Sequence, residues 1–343
     1  MNPDNTSIRE ISDVKRPKVG VFIGDPTGIG PEVTIKALSD EEVFGGFSIL
    51  LIGDERPLKQ GQRIAGLHIE YDVVDELEEV VLSRDGLLLL DLKNMDTKDY
   101  SMGQLNSKMG KAVGEAMTVA LKLAMEGKID AFVYAPINKE ALNKGGYHFD
   151  SELSFFAHVL ELNEGYGELT ALNDLWTSRV TSHIGIGEIV KHITRKNVLE
   201  AIVLAYYTLK KAKFENPKIG VSSLNPHGGE GGLFGPEESK YISPAIEDAR
   251  EMGINAVGPY PADTIFLRRE KEQLDAIVSM YHDQGQIATK LLGFNKSVTI
   301  SGGLPFPITT PSHGTAFDIA GKGIADPSTM KEAIKLALKM CEW

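Results

Sequence analysis

The chain has a single cysteine in 343 residues, Cys341, so no internal disulfide can form and the fold must rest on an apolar core, as in a reducing compartment. It lacks any apolar run of the ~18 residues that a membrane span needs. Residues 1–16, MNPDNTSIREISDVKR, lack the apolar segment of a secretory signal, so a cytoplasmic protein with a loose N-terminal arm is expected, and no membrane partner. Positive charge is in short supply. Lys and Arg number 36 against 48 Asp and Glu, a formal net charge of -12 with pI near 5.2, and no basic stripe offsets it. Such a surface repels a phosphate backbone, so nucleic acid is not an expected partner. Also missing are the GxGxxG and P-loop fingerprints, internal repeats and a Pro-rich tether.

What is present is a long, ordinary globular composition, 42% hydrophobic and 24% charged, too long for one typical core. Short β-branched runs alternate with helical patterns: VGVFI (19–23) before PEVTIKAL (31–38), FSILLIG (47–53), an amphipathic segment at 107–128, then AFVYA (131–135). The alternation continues through KIGVSSLN (218–225), a helix over 236–253, AIVSMY (276–281) and a last helix near 328–340. This predicts an α/β fold, a sheet wrapped by helices. Glycine-rich or polar motifs stand where the apolar runs end: GDPTGIGPE, APINK, LNPHGGEGG and YHDQG. Ligands of open α/β sheets bind at strand carboxyl ends, so one shared cleft is expected.

Three histidines follow such runs: His183 in RVTSHIG, His227 in LNPHGGEGG and His282 in MYHDQG. Neutral imidazoles suit zinc and similar ions, but separations of 44 and 55 residues form no local metal motif, and each ring could equally be structural. In GDPTGIGPE, Pro31 suits the first turn of a helix whose N-terminus could hold an anion, or the segment is a plain strand-to-helix turn. Lys139 in APINK could serve as a charge partner or general acid/base, or be merely solvated. In HGTAFDIAGKG (313–323) the small residues allow close approach of a flat ring. A buried Asp318 could accept hydrogen bonds from both ribose hydroxyls and repel a 2′-phosphate, or it could cap a helix.

The stretch HGTAFDIAGKGIADP resembles the adenosine-binding loop of the isocitrate and isopropylmalate dehydrogenases. Across residues 18–340 the collinear set GDPTGIGPE, APINK, VTSHI, LNPHGGEGG, PADT, MYHDQG and GLPFPITTPSHGTA is similar to the 4-hydroxythreonine-4-phosphate dehydrogenase (PdxA) family. That resemblance implies two α/β/α domains with a cleft between them: a discontinuous nucleotide-cleft domain of residues 1–136 plus 290–343, and a metal, substrate and dimerisation domain of residues 137–289. It implies a homodimer with shared sites, the metal held by His183 and His227 of one subunit and His282 of its partner. The implied reaction oxidises a β-hydroxy acid with NAD and decarboxylates the product, aided by a divalent ion, zinc first and cobalt, magnesium or manganese as alternatives. Asp263 and Lys290 match substrate-binding positions of the family, and with Lys139 they are the candidate catalytic residues. His313, Gly314, Thr315, Ala316, Asp318 and Ile319 would line the cofactor loop, with Asp318 favouring NAD over NADP by charge.

The sequence departs from the family pattern at the substrate. SELSFF (151–156) puts Glu152 and Leu153 where the family has His and Thr, and the substrate-contacting Asn and Arg fall at Thr299 and Ile308. Lost charge-assisted hydrogen bonds, roughly 1.5–3 kcal/mol each, argue against a phosphorylated substrate. The changes resemble the terephthalate dihydrodiol dehydrogenases of the same family, although Glu152 is expected to repel a second carboxylate. A phosphate acyltransferase-like enzyme is the alternative from another class, disfavoured by three histidines that acyl transfer does not need.

Overall fold

The computed structural model describes residues 17–40, 47–80, 82, 86–293 and 296–341. The arm expected at 1–16 lies outside the described residues. The fold is α/β, as expected. Among the described residues one sheet holds twelve strands: β1 (Lys18–Phe22), β2 (Ser48–Gly53), β3 (Asp72–Val74), β4 (Leu87–Asp91), β5 (Ala131–Tyr134), β6 (Gly167–Leu172), β7 (Leu175–Arg179), β8 (Ile219–Ser222), β9 (Ala256–Tyr260), β10 (Ala276–Ser279), β11 (Ser297–Gly302) and β12 (Ile308–Pro311). Their order is β3-β4-β2-β1-β5-β12-β11-β6-β7-β10-β8-β9. The strands β1 and β2 are apolar on both faces because parallel strands carry helices on both sides. In the middle of the sheet β12, β11, β6 and β7 pair antiparallel, the last two joined by the two-residue turn Asn173–Asp174 with Asn173 at φ 51°.

Two large apolar cores flank this sheet. The first gathers β1, β2, β4 and β5 with the helices Gly30–Leu38 and Ser107–Met125, and the second gathers β8 and β10 with the helices Arg195–Lys211 and Ser243–Glu251. The side chains of Ile137, Leu142, Leu153, Phe155 and Phe156 pack into the first core, so the division between cores falls later than the expected boundary at 136. Strand β11 serves both, with Val298 in the first core and Ile300 in the second. The helix Ser328–Cys341 joins them through Leu336, which packs against each.

The helix Ser107–Met125 crosses the short helix Lys139–Lys144 at two glycines. A Cβ at Gly110 would stand 1.9 Å from the Ala141 carbonyl oxygen, and one at Gly145 would stand 2.3 Å from the Lys111 nitrogen. Backbone on both sides leaves nothing that can swing away. Gly110→Ala is therefore expected to destabilise by at least about 1–3 kcal/mol, read as a lower denaturation midpoint, and to displace Lys139 with its helix. A midpoint equal to that of the unmodified protein would refute this packing.

Candidate active site

Five strands, β5, β12, β11, β6 and β7, present side chains to a cleft of about 260 Å³, completed by loops and helix starts beyond their ends. His183 and His282 meet there because β7 and β10 are parallel neighbours, with Arg179 opposite Ser279. The chains beyond them stay zipped together: the Val180 amide donates to Ser279 O at 2.9 Å, and the Thr181 amide and hydroxyl both donate to Met280 O. The rings end with centroids 5.7 Å apart. Two imidazoles on one tetrahedral ion stand roughly 5 Å apart by centroid, so this pair fits a single divalent cation with little adjustment. His282 Nδ1 donates to Asp283 Oδ1 at 2.7 Å, which leaves Nε2 as the free ligand atom. Burial pushes His183 below the ordinary histidine range, favouring the neutral, metal-binding form.

His227 does not join them. It lies on the loop after β8, is 66% exposed, and opens a run of left-handed residues from His227 (φ 53°) to Gly231 (φ 67°). The buried Glu238 carboxylate anchors that loop by accepting from the amides of Leu224 and Asn225. The start of the loop is thus tied down, and the exposed His227 Nδ1 donates to Glu230 Oε1 at 3.2 Å. Among the described residues no group of three or more His, Cys, Asp or Glu could hold a metal ion. Within one chain the converging pair is His183 with His282, whereas the resemblance implied His183 with His227.

The cleft is cationic in an acidic protein, with Lys139, Arg179 and Lys290 against Glu152 and Glu168. Lys139 Nζ lies 2.9 Å from Glu152 Oε2, so the negative charge expected to repel a carboxylate is already matched. Lys290 lines the cleft and has no acid partner among the described residues. Thr299 lines the cleft, its hydroxyl 2.9 Å from Ser312 Oγ. Ile308 does not: it is 0% exposed, sits opposite Phe132 at the start of β12, and belongs to the first core, so as a substrate contact it is wrong. Leu153 is buried beside the cleft in a second cavity. Asp263 lies exposed on a turn outside the cleft of its own chain.

The loop after β12 divides its residues by role. His313, Gly314, Ala316 and Ile319 line a mainly apolar groove with Ile29, Asp326 and Thr329. Thr315 is buried, packed where a Cβ at Gly28 would stand 2.7 Å away, and its carbonyl takes the Ile29 amide at 3.1 Å. This explains the glycines of GDPTGIGPE as room for the neighbouring loop at the helix start. Asp318, expected to be buried, is exposed and makes no hydrogen bond among the described residues, so it caps no helix. The acid in the groove wall is Asp326. Its carboxylate accepts from the Ser328 hydroxyl and amide, at 2.6 and 2.9 Å, which lowers its pKa. Sequence reasoning passed it over because an Asp two residues before Ser328 reads as helix capping. It also missed Arg179, although Arg179 stands four residues before His183 in a motif singled out for its histidine.

The chain has close relatives over nearly its whole length. A protein of Rhizobium meliloti (strain 1021), provisionally named 4-hydroxythreonine-4-phosphate dehydrogenase 2, is 42% identical over 330 residues, 96% of this chain and 94% of the relative. The crystal structure of a 4-hydroxythreonine-4-phosphate dehydrogenase from Burkholderia phymatum superposes with a TM-score of 0.80 at 37% identity, covering 95% of this chain and 98% of that one. A terephthalate 1,2-cis-dihydrodiol dehydrogenase from Burkholderia xenovorans LB400 gives a TM-score of 0.67 at 28% identity, covering 95% and 98%. Fold, cleft and relatives together define an oxidoreductase of the dehydrogenase class, acting on a CH–OH group. Residues 47–337 match the model of the family described as pyridoxal phosphate biosynthetic protein PdxA, and the chain belongs to that family.

Proposed function

We propose that the protein is a metal-dependent, NAD-linked dehydrogenase that oxidises the secondary alcohol of a small anionic β-hydroxy acid, the β-keto product then losing carbon dioxide. The observation that carries this reading is the convergence of His183 and His282 beside Lys139 and Lys290. A divalent cation, zinc in the first instance, would supply Lewis acidity toward the alcohol. Lys290, unpaired, holds the substrate carboxylate. The Lys139–Glu152 pair, with Lys139 half open to solvent, is the path by which the alcohol proton leaves. The Tyr134 phenol, which burial keeps protonated, walls the cleft. The hydride acceptor would be NAD, its adenosine end on the groove between Ile29 and Ile319.

The third imidazole comes in this reading from a second copy of the chain, making a cytoplasmic homodimer with shared sites. Large apolar side chains stand exposed along the segments that carry the histidines: Ile184 and Ile186 after His183, Leu233 and Phe234 after His227, and Ile287, Leu291 and Leu292 along the helix that His282 opens. Such clustering around functional residues is what a subunit interface would cover.

Incubation with 4-hydroxythreonine 4-phosphate, NAD and zinc should raise the absorbance of reduced nicotinamide, and a panel of non-phosphorylated hydroxy acids shows whether the substrate has drifted. No reduced nicotinamide with any of them would reject the dehydrogenase. For the cofactor, Asp318→Ala should relax discrimination against NADP, because the exposed carboxylate is unpaired and free to repel a 2′-phosphate. An unchanged NAD/NADP ratio would shift that role to Asp326.

A further inference from the structure

Arg179 stands in the wall between the catalytic cleft and a second cavity of about 290 Å³, and it lines both. Its side chain is only 7% exposed. The register that puts Thr170 opposite Thr177 carries two residues further to put Glu168 opposite Arg179, and their side chains form an ion pair. Nη2 donates to Glu168 and Nε donates to Ser182 Oγ at 2.9 Å, while Nη1 meets no acceptor among the described residues. Nη1 is not among the buried atoms left without a partner, so it opens onto the cavities with its donors unclaimed by the protein and available to a ligand. The second cavity is apolar at Leu153, Tyr166 and Leu204 and polar at Ser182 and Asn197, with Glu168 and Glu200 also in its wall, so Arg179 is the one arginine or lysine among the described residues that lines it. That lining fits a short carbon chain with a polar end.

We propose that Arg179 determines substrate specificity by binding, through Nη1, an oxyanion at the end of the substrate away from the reacting alcohol, with that tail entering the second cavity. This rests on the dehydrogenase reading for the position of the alcohol, but the anion site stands on Arg179 itself. A planar guanidinium offers paired donors that match a carboxylate or a phosphate, and its charge is fixed at any pH the protein survives. Glu168 is the positioning residue. It holds the guanidinium still and, being negative, keeps the empty site from trapping stray anions. Arg179 thereby supplies the cation that Ile308, buried in the core, does not.

The test measures binding of inorganic phosphate and of malonate, separately, to the full-length zinc-loaded protein by calorimetry, with no turnover required. The proposal expects at least one anion to bind, Arg179→Gln to weaken it by about tenfold or more, and Arg179→Lys to weaken it less. Glu168→Gln should tighten it severalfold. Arg179→Gln strands Glu168 and could unfold the chain, so the double variant Arg179→Gln/Glu168→Gln, which removes both charges at nearly constant shape, must show the same loss with a native denaturation midpoint. Preference for phosphate supports a phosphorylated tail, and preference for malonate a second carboxylate. Neither anion binding, or equal binding by the wild type and the double variant, overturns the proposal. Arg179-dependent binding without nicotinamide reduction by any hydroxy acid would reject the dehydrogenase reading and leave the anion site intact.

Discussion

Heterodimers of a His183→Ala chain and a His227→Ala chain are expected to regain turnover, to about half the wild-type rate because one of two sites is intact. Each variant alone should be inactive. A mixture of His183→Ala with His282→Ala should stay inactive, because those rings belong to the same chain's cleft, 5.7 Å apart, and no heterodimer then holds a complete site. The opposite pattern, recovery from His183→Ala with His282→Ala and none from His183→Ala with His227→Ala, would place His282 across the interface and refute the pairing seen here. Co-expression with two different affinity tags isolates the heterodimers, and zinc content measured per dimer provides a reading independent of activity.

Asp283→Ala should lower zinc affinity by about 10–100-fold, measured by competition with a chromophoric chelator. The carboxylate takes the proton on His282 Nδ1 at 2.7 Å, which fixes both the tautomer and the ring, and its removal lets the ring turn and share its proton between the two nitrogens. Asp283 is itself largely exposed, so the fold should be unaffected and the denaturation midpoint unchanged. Glu230→Ala should act similarly but more weakly through His227, where the hydrogen bond is longer at 3.2 Å. Zinc affinity unchanged in Asp283→Ala would remove this carboxylate from the support of the metal site.

The fates of particular residues show how far the chain could be read. Lys139, His183, His282 and His313 stand out from strand ends and motifs, Glu152, Lys290 and Thr299 only from the family resemblance, and all line one cleft. Ile308 was misjudged because a position matched along a strand does not reveal which face meets solvent, and here the alternation of β12 turns it into the core. Arg179 and Glu168 were missed because their link is a cross-strand pair made by an antiparallel hairpin, invisible until β6 and β7 are set in register. The twelve-strand order was equally hidden, since sequence gives the strands one at a time and their neighbours only through tertiary contact.

The amino-acid order alone determined the alternation of strands and helices, the excess of acidic over basic residues, and the family, because hydrophobic period, composition and collinear motifs are local properties of a chain. Only the tertiary structure decided which two of three imidazoles meet, that Glu152 is neutralised by Lys139, and that Asp326 rather than Asp318 walls the groove. Those facts depend on the adjacency of β7 with β10 and on the packing of the loop after β12, where partners distant along the chain are brought within hydrogen-bonding range.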